Sequence, residues 1–165
     1  MMCFVIEDDL LDLERANDML KIPAVSYDFV TSMCGEFINS GLHRSVFHYA
    51  LDEKYVIKIE PLNTNQNTIE WMMWNEIQHL QNELAWVKDW FAPVKWISPN
   101  GRILVMRKTI PQSKAEKKLP TKIPKFLWDI KHNNFGWIGK NYVCHDYGQF
   151  YNMISYNKQM INPTW

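Results

Sequence analysis

No stretch of this sequence is apolar for long enough to cross a bilayer, which takes about 20 such residues in a helix. No secretory signal is read at its start. "MMCFVIEDDL" turns acidic after a short apolar run and has no basic lead. Net charge is absent too, with 18 Lys and Arg against 18 Asp and Glu. That balance removes a strong global field toward nucleic acid or a membrane surface and leaves only local patches. Cysteine is scarce: Cys3, Cys34 and Cys144 are odd in number, far apart and form no C-x-x-C pair. A disulfide framework is not expected from this, and a reduced cytosolic protein is the reading. There is no internal repeat and no long low-complexity tract.

What is present is ordinary globular material. Apolar residues make up 47% and charged residues 22% of 165 positions, enough to bury the core of one domain. Eight Trp and nine Met read as core and interface. Trp86, Trp90, Trp96 and Trp165 are either anchors for a partner protein or packed core.

Residues 8–20, "DDLLDLERANDML", carry helical spacing with acids in the first turn. From Cys34 to Glu60 the texture becomes strand-like. "GEFINSG", "HRSVFHYAL" and "YVIKIE" are separated by short turns, which predicts three antiparallel strands. Thr68 is placed to cap a helix running through "IEWMMWNEIQHLQNELAWV", with Ile69, Met72, Met73, Glu76, Ile77 and Leu80 on or beside one face. "APVKWI" and "RILVMRKTI" flank the turn "SPNG" as a hairpin. A basic linker, "PQSKAEKKLPTKIPK", follows. Its charge run is short and poor in aromatics, which argues against a nucleic-acid partner. "FGWI" and "YVCH" then pair as a small hairpin through Gly139-Lys140-Asn141, and a short helix and tail end the chain.

Two places carry chemistry. Lys58 stands mid-strand in "VIKIE" among β-branched residues. If its face is buried, the ammonium needs an anionic partner or a phosphate. A solvated strand face is the plainer alternative. Glu76, inside an apolar helical face, is the expected partner, with Glu70 as the rival. The small hairpin brings Asn134 and Asp146 to its open end, as one amide and one carboxylate oxygen suited to Mg²⁺. Asp129 and Lys131 lead into the same end, where a carboxylate can act as base and a lysine can hold a phosphate, or both are charges in water.

"DIKHNN" fits D-x-K-x-x-N, and "DYG" fits the D-F-G position. "VIKIE" stands where V-A-I-K would, "NEIQHL" where the αC helix would, and "INSGLHRSVFHY" as a reduced Gly-rich turn. Together these resemble the protein-kinase-like superfamily across roughly residues 34–148. The polar set alone should arise on the order of once in ten thousand random chains at average usage. The wording "DxKxxNFGW…DYG" resembles small bacteriophage-encoded kinase-like proteins more than eukaryotic kinases. Aminoglycoside-type phosphotransferases share Asp, Asn and Asp but usually have His where Lys131 stands.

The resemblance implies an α+β fold: a protein-kinase-like N-lobe, with an antiparallel sheet and an αC-type helix, and a minimal C-lobe hairpin. The organisation it implies is one kinase-like domain over 1–165. This has an N-terminal helical extension (1–33), an N-lobe-like sheet and helix (34–110), a basic linker (111–125) and a reduced C-lobe (126–165). The implied cofactors are ATP and Mg²⁺. Lys58 and Glu76, with Gly41, Val46 and Met106, would bind the nucleotide. Asp129 and Lys131 would be catalytic, and Asn134 and Asp146 would hold the metal. The implied activity is γ-phosphoryl transfer to Ser or Thr of a protein, the chain itself included. The alternative is a catalytically weak or silent pseudokinase, phage-encoded, that binds and inhibits a host protein in the host cytoplasm or associates with itself. The chain departs from the family pattern in two ways. Leu127 and Trp128 replace the His and Arg that brace the catalytic loop, and nothing after Gly148 matches the activation segment or later helices.

Overall fold

The computed structural model describes residues 30–60, 64–127, 129–149 and 158–165. The expected helix over 8–20 lies outside these residues. Residues 150–157, where the short helix after Gly148 is expected, also lie outside them, and the tail that follows contains a two-residue strand at Met160–Ile161.

Five strands form one antiparallel sheet: β1 (Cys34–Ser40), β2 (Ser45–Tyr49), β3 (Tyr55–Ile59), β4 (Val94–Ile97) and β5 (Ile103–Arg107), in the order β1-β2-β3-β5-β4. The turn residues 41–44 and 50–54 and the Ser98–Gly101 turn make each connection short enough for neighbours to pair. Register fixes the faces, because residues directly opposite each other share a side. Val46, Lys58 and Leu104 form one row, and Val56 and Met106 the next. Phe47, Ile57, Val105 and Trp96 lie on the reverse side. Both sides are covered, so Ile57 and Lys58 are buried in succession and the usual in–out alternation is lost.

Helix α1 (Gln66–Gln78) packs on the Leu104–Met106 side. Its buried residues, Gln66, Asn67, Glu70, Met73 and Ile77, recur at helical spacing. The start differs from the expectation, since Asn65 in the left-handed region precedes the helix and Thr68 is already inside it. A carboxylate takes over the capping: Glu60 accepts from Asn67 N–H (2.9 Å) and Thr64 Oγ1 (2.6 Å). The end differs too. The helix stops at Gln78, Asn82 turns left-handed (φ 53°), and a 3-10 helix runs from Asn82 to Trp90. Met72, expected on the inner face, is exposed.

The second part of the molecule is built on the hairpin β7 (Phe135–Ile138) and β8 (Asn141–Cys144), closed by Gly139 and Lys140. It joins the 3-10 helix through Ala92 N–H to Cys144 O (2.8 Å) and Tyr147 O–H to Ala92 O (2.8 Å). Ile110 and Trp137 exchange backbone hydrogen bonds of 2.8 and 2.9 Å along its outer strand. Gly136 permits this approach, because a Cβ there would meet Thr109 Oγ1 at 2.6 Å. The basic segment is packed: Gln112 Oε1 accepts from Trp137 Nε1 (2.7 Å), and Lys117 lies over the Trp137 ring. A two-strand ladder, β6 (Ile123–Pro124) with β9 (Met160–Ile161), leads to Trp165, which stacks on His132 and meets Phe135 and Tyr142 edge-on. The largest core cluster runs from Met73, Ile77 and Met106 to Phe135, Val143 and Tyr147, uniting sheet, helix and hairpin. Among the described residues no helix is long and apolar enough to cross a membrane.

Candidate functional site

The inward end of β3 and the polar first half of α1 meet at Lys58. Its ammonium, 4% exposed as a residue, donates to Glu70 Oε1 (3.0 Å) and Oε2 (2.9 Å) and to His145 O (2.5 Å). The expected pairing with Glu76 is therefore corrected to Glu70. The cause is helical phase. Glu70, Met73 and Ile77 follow one another at three and four residues, whereas Glu76 precedes Ile77 by one, about 100° round the axis, and is exposed.

Glu70 is the hub of the cluster. It also accepts from the Arg44 guanidinium, Nη1 to Oε2 (2.9 Å) and Nη2 to Oε1 (3.0 Å), and from Tyr147 N–H (3.1 Å). Burial alone would raise its pKa. Arg44 and Lys58 outweigh burial and hold it at about 2, so Glu70 is ionised at neutral pH. Burial draws the Lys58 pKa down, and the Arg44 charge adds to this against the pull of Glu70. Arg44 goes up, because Glu70 and Asp146 override the cost of its burial.

Arg44 is the residue that sequence reasoning missed. It follows the β1–β2 turn, is 7% exposed, and binds Asp146 through Nη2 and Asn67 Oδ1 through Nη1 (3.3 Å). A lone arginine in a polar turn carries no periodic signal.

At the open end of the hairpin, His145 N–H donates to Asn134 O (2.8 Å), so the two segments touch. The side chains diverge in their partners. Asn134 Nδ2 donates to Asp129 O and Oδ2 (2.9 Å each), while Asp146, 46% exposed at the side chain, holds Arg44. Asp129 is in the left-handed region (φ 47°), a conformation that Asp tolerates and that Asn134 secures. Lys131, largely exposed, reaches Asp129 Oδ1 at 2.7 Å. That hydrogen bond first, then Asn134, lowers the Asp129 pKa in spite of partial burial.

His145 braces this corner. Its Nε2 faces Asn133 O (2.9 Å) and its Nδ1 faces Thr109 Oγ1 (2.9 Å). A carbonyl only accepts, so Nε2 carries the proton and Nδ1 accepts from the Thr109 hydroxyl. Burial, aided by the Lys58 charge, lowers its pKa to about 4, which keeps the ring neutral.

The remaining expected site residues are placed as follows. Val46 stands beside Lys58 in the same cross-strand row. Gly41 is an exposed turn residue with nothing within 4 Å of a built Cβ. Met106 is fully buried and belongs to the core. For a divalent cation, the donor set is one amide oxygen on Asn134 and Asp146 Oδ2, the carboxylate oxygen that Arg44 does not hold. These are hard donors that fit Mg²⁺ with phosphate and water completing the shell. No group of three or more His, Cys, Asp or Glu forms a self-sufficient metal site among the described residues.

The arrangement is a buried, charge-compensated centre at the junction of a sheet, a helix and a hairpin, with the half-exposed Asp146 at its edge. No family model and no curated protein matches the sequence. One solved structure that this chain resembles in part is the ternary complex of streptomycin, ATP and APH(2")-IIa. That likeness covers 53% of this chain and 28% of that one, at 15% identity and a TM-score of 0.36.

Proposed function

We propose that this chain is a reduced kinase-like module that binds ATP with Mg²⁺ and transfers the γ-phosphoryl to a Ser or Thr hydroxyl. The observation that carries the reading is the buried Lys58–Glu70 pair, whose ammonium also reaches the backbone next to Asp146. A fixed strand lysine beside a helix glutamate is a cation held ready for phosphate oxygens. Asn134 and Asp146 would hold the metal, which when bound supplies charge neutralisation to the phosphates. Asp129 would accept the proton of the attacking hydroxyl as its oxygen bonds to the γ-phosphorus and the bond to the β-phosphate oxygen breaks. Lys131 would steady the transferred group. Arg44 and His145 keep their neighbours in place throughout.

A second reading is a nucleotide-binding pseudokinase that acts by gripping a partner protein. Asp129 favours it, since Lys131 and Asn134 hold this carboxyl below its ordinary range, away from the neutral pKa that suits a base. The exposed Phe37, Ile38 and Leu42, on or just after edge strand β1, would be the contact surface. Trp96, expected as an anchor, is buried under the sheet and is not available.

Two measurements separate these readings. ATP with Mg²⁺ should raise the melting temperature of wild type and not of Lys58→Ala; an absent shift in wild type would sink both readings. Incubation with γ-labelled ATP should label a protein acceptor, and Asp129→Ala should cut that labelling by about a hundredfold or more. ATP binding with no labelling of any acceptor selects the pseudokinase.

A further inference from the structure

We infer that Arg44 is the resident cation of this site and lessens its need for a divalent metal when nucleotide binds. The inference rests on the nucleotide-site reading above and adds a determinant to it.

The guanidinium is locked in place. Its two terminal nitrogens fork onto the two oxygens of Glu70 at 2.9 and 3.0 Å, a planar bidentate geometry that lysine cannot reproduce. Asn67 Oδ1 accepts from Nη1, and Asp146 Oδ1 from Nη2. The residue is 7% exposed, and its backbone carbonyl closes the β1–β2 turn by accepting from Gly41 N–H (2.9 Å). Nothing in this arrangement resembles a side chain free to swing.

Charge bookkeeping then gives the consequence. Lys58 and Arg44 are paired directly with Glu70 and Asp146, and the buried Glu60 adds a third negative charge near Arg44. Without Arg44, Asp146 would be an uncompensated carboxylate that calls for a dication before a polyphosphate could approach. With Arg44, the carboxylate is already neutralised, and a dication on its other oxygen would sit beside a fixed positive charge that repels it. Arg44 and Lys58 then act on an approaching phosphate through their field, since the terminal N–H groups of Arg44 are taken by Glu70, Asn67 and Asp146 and the Lys58 ammonium by Glu70 and His145 O.

The test is the ATP dissociation constant with magnesium and with excess chelator, on wild type, Arg44→Met and Asp146→Asn, each checked for native circular dichroism. Wild type should differ by less than about threefold between the two conditions, and Arg44→Met by about tenfold or more. Asp146→Asn should bind metal-free ATP several-fold more tightly than wild type, because it leaves the Arg44 charge unmatched. A wild type that loses about a hundredfold in chelator, as Arg44→Met does, would overturn the role of Arg44 while leaving the nucleotide site standing. ATP binding under neither condition would remove the nucleotide site and this inference together. If Arg44→Met does not fold, the wild-type ratio and Asp146→Asn decide.

Discussion

Glu70 and Glu76 are the same residue type on the same helix and carry opposite burdens. Glu70 is wholly buried and holds two cations, so Glu70→Gln removes one partner of a buried ion cluster and leaves the others unmatched. Urea denaturation should show a loss of about 3 kcal/mol for Glu70→Gln and less than about 0.5 kcal/mol for the exposed Glu76→Gln. His145 adds a pH signature. Its folded pKa of about 4 lies below the ordinary value of 6.5, so the unfolded chain binds a proton the folded one refuses. Its contribution is present above pH 6.5 and lost as pH falls from there toward 4. Melting temperature should fall through that window in wild type, and His145→Gln should flatten the slope. A slope unchanged in the variant would assign it to other groups. Lys58 was legible because a lysine amid β-branched residues is conspicuous. Its partner was not, because helical phase depends on where the helix sits against the sheet, and Arg44 has no pattern at all.

At the level of elements, the hairpin and α1 are held at a fixed spacing by a glycine. A Cβ at Gly148 would stand 2.8 Å from both Gln66 Cβ and Gln66 O, in the first turn of α1. Gly148→Ala must push the helix that carries Glu70, at a cost of about 1–3 kcal/mol, and should weaken ATP binding with it. Gly41, which the sequence reading valued for its place in a Gly-rich turn, meets nothing within 4 Å. Gly41→Ala should change stability by less than about 0.5 kcal/mol, measured in the same denaturation series. Strand pairing was legible because turn residues punctuate the sheet at short intervals. The continuous helix expected over residues 69–87 was not found, because apolar periodicity persists through Leu80, Leu84 and Val87 while Asn82 reverses the backbone.

For the whole molecule, the question is what keeps the loop from Asp129 to Asn134 in place. Aromatic packing supplies the support. Trp165 stacks on His132 (5.4 Å between centroids), and meets Phe135 (5.7 Å) and Tyr142 (5.4 Å) edge-on, so it touches the loop and both strands behind it. The β6–β9 ladder holds this segment to the stretch before Asp129. No sequence pattern announced the contact, since it joins residues far apart through ring geometry alone. Trp165→Ala should cost about 1–3 kcal/mol, as a partly buried aromatic does. Its effect on function should be uneven. Lys58, Glu70 and Arg44 lie in β3, α1 and the β1–β2 turn and are held by one another, Asn67, Asp146, His145 and Tyr147, so ATP affinity should stay within about threefold of wild type. The loop from Asp129 to Asn134 loses its backing, so the rate of phosphoryl transfer should fall by about tenfold or more. A variant that loses affinity and rate in equal proportion would place Trp165 in general stability and not in support of the loop.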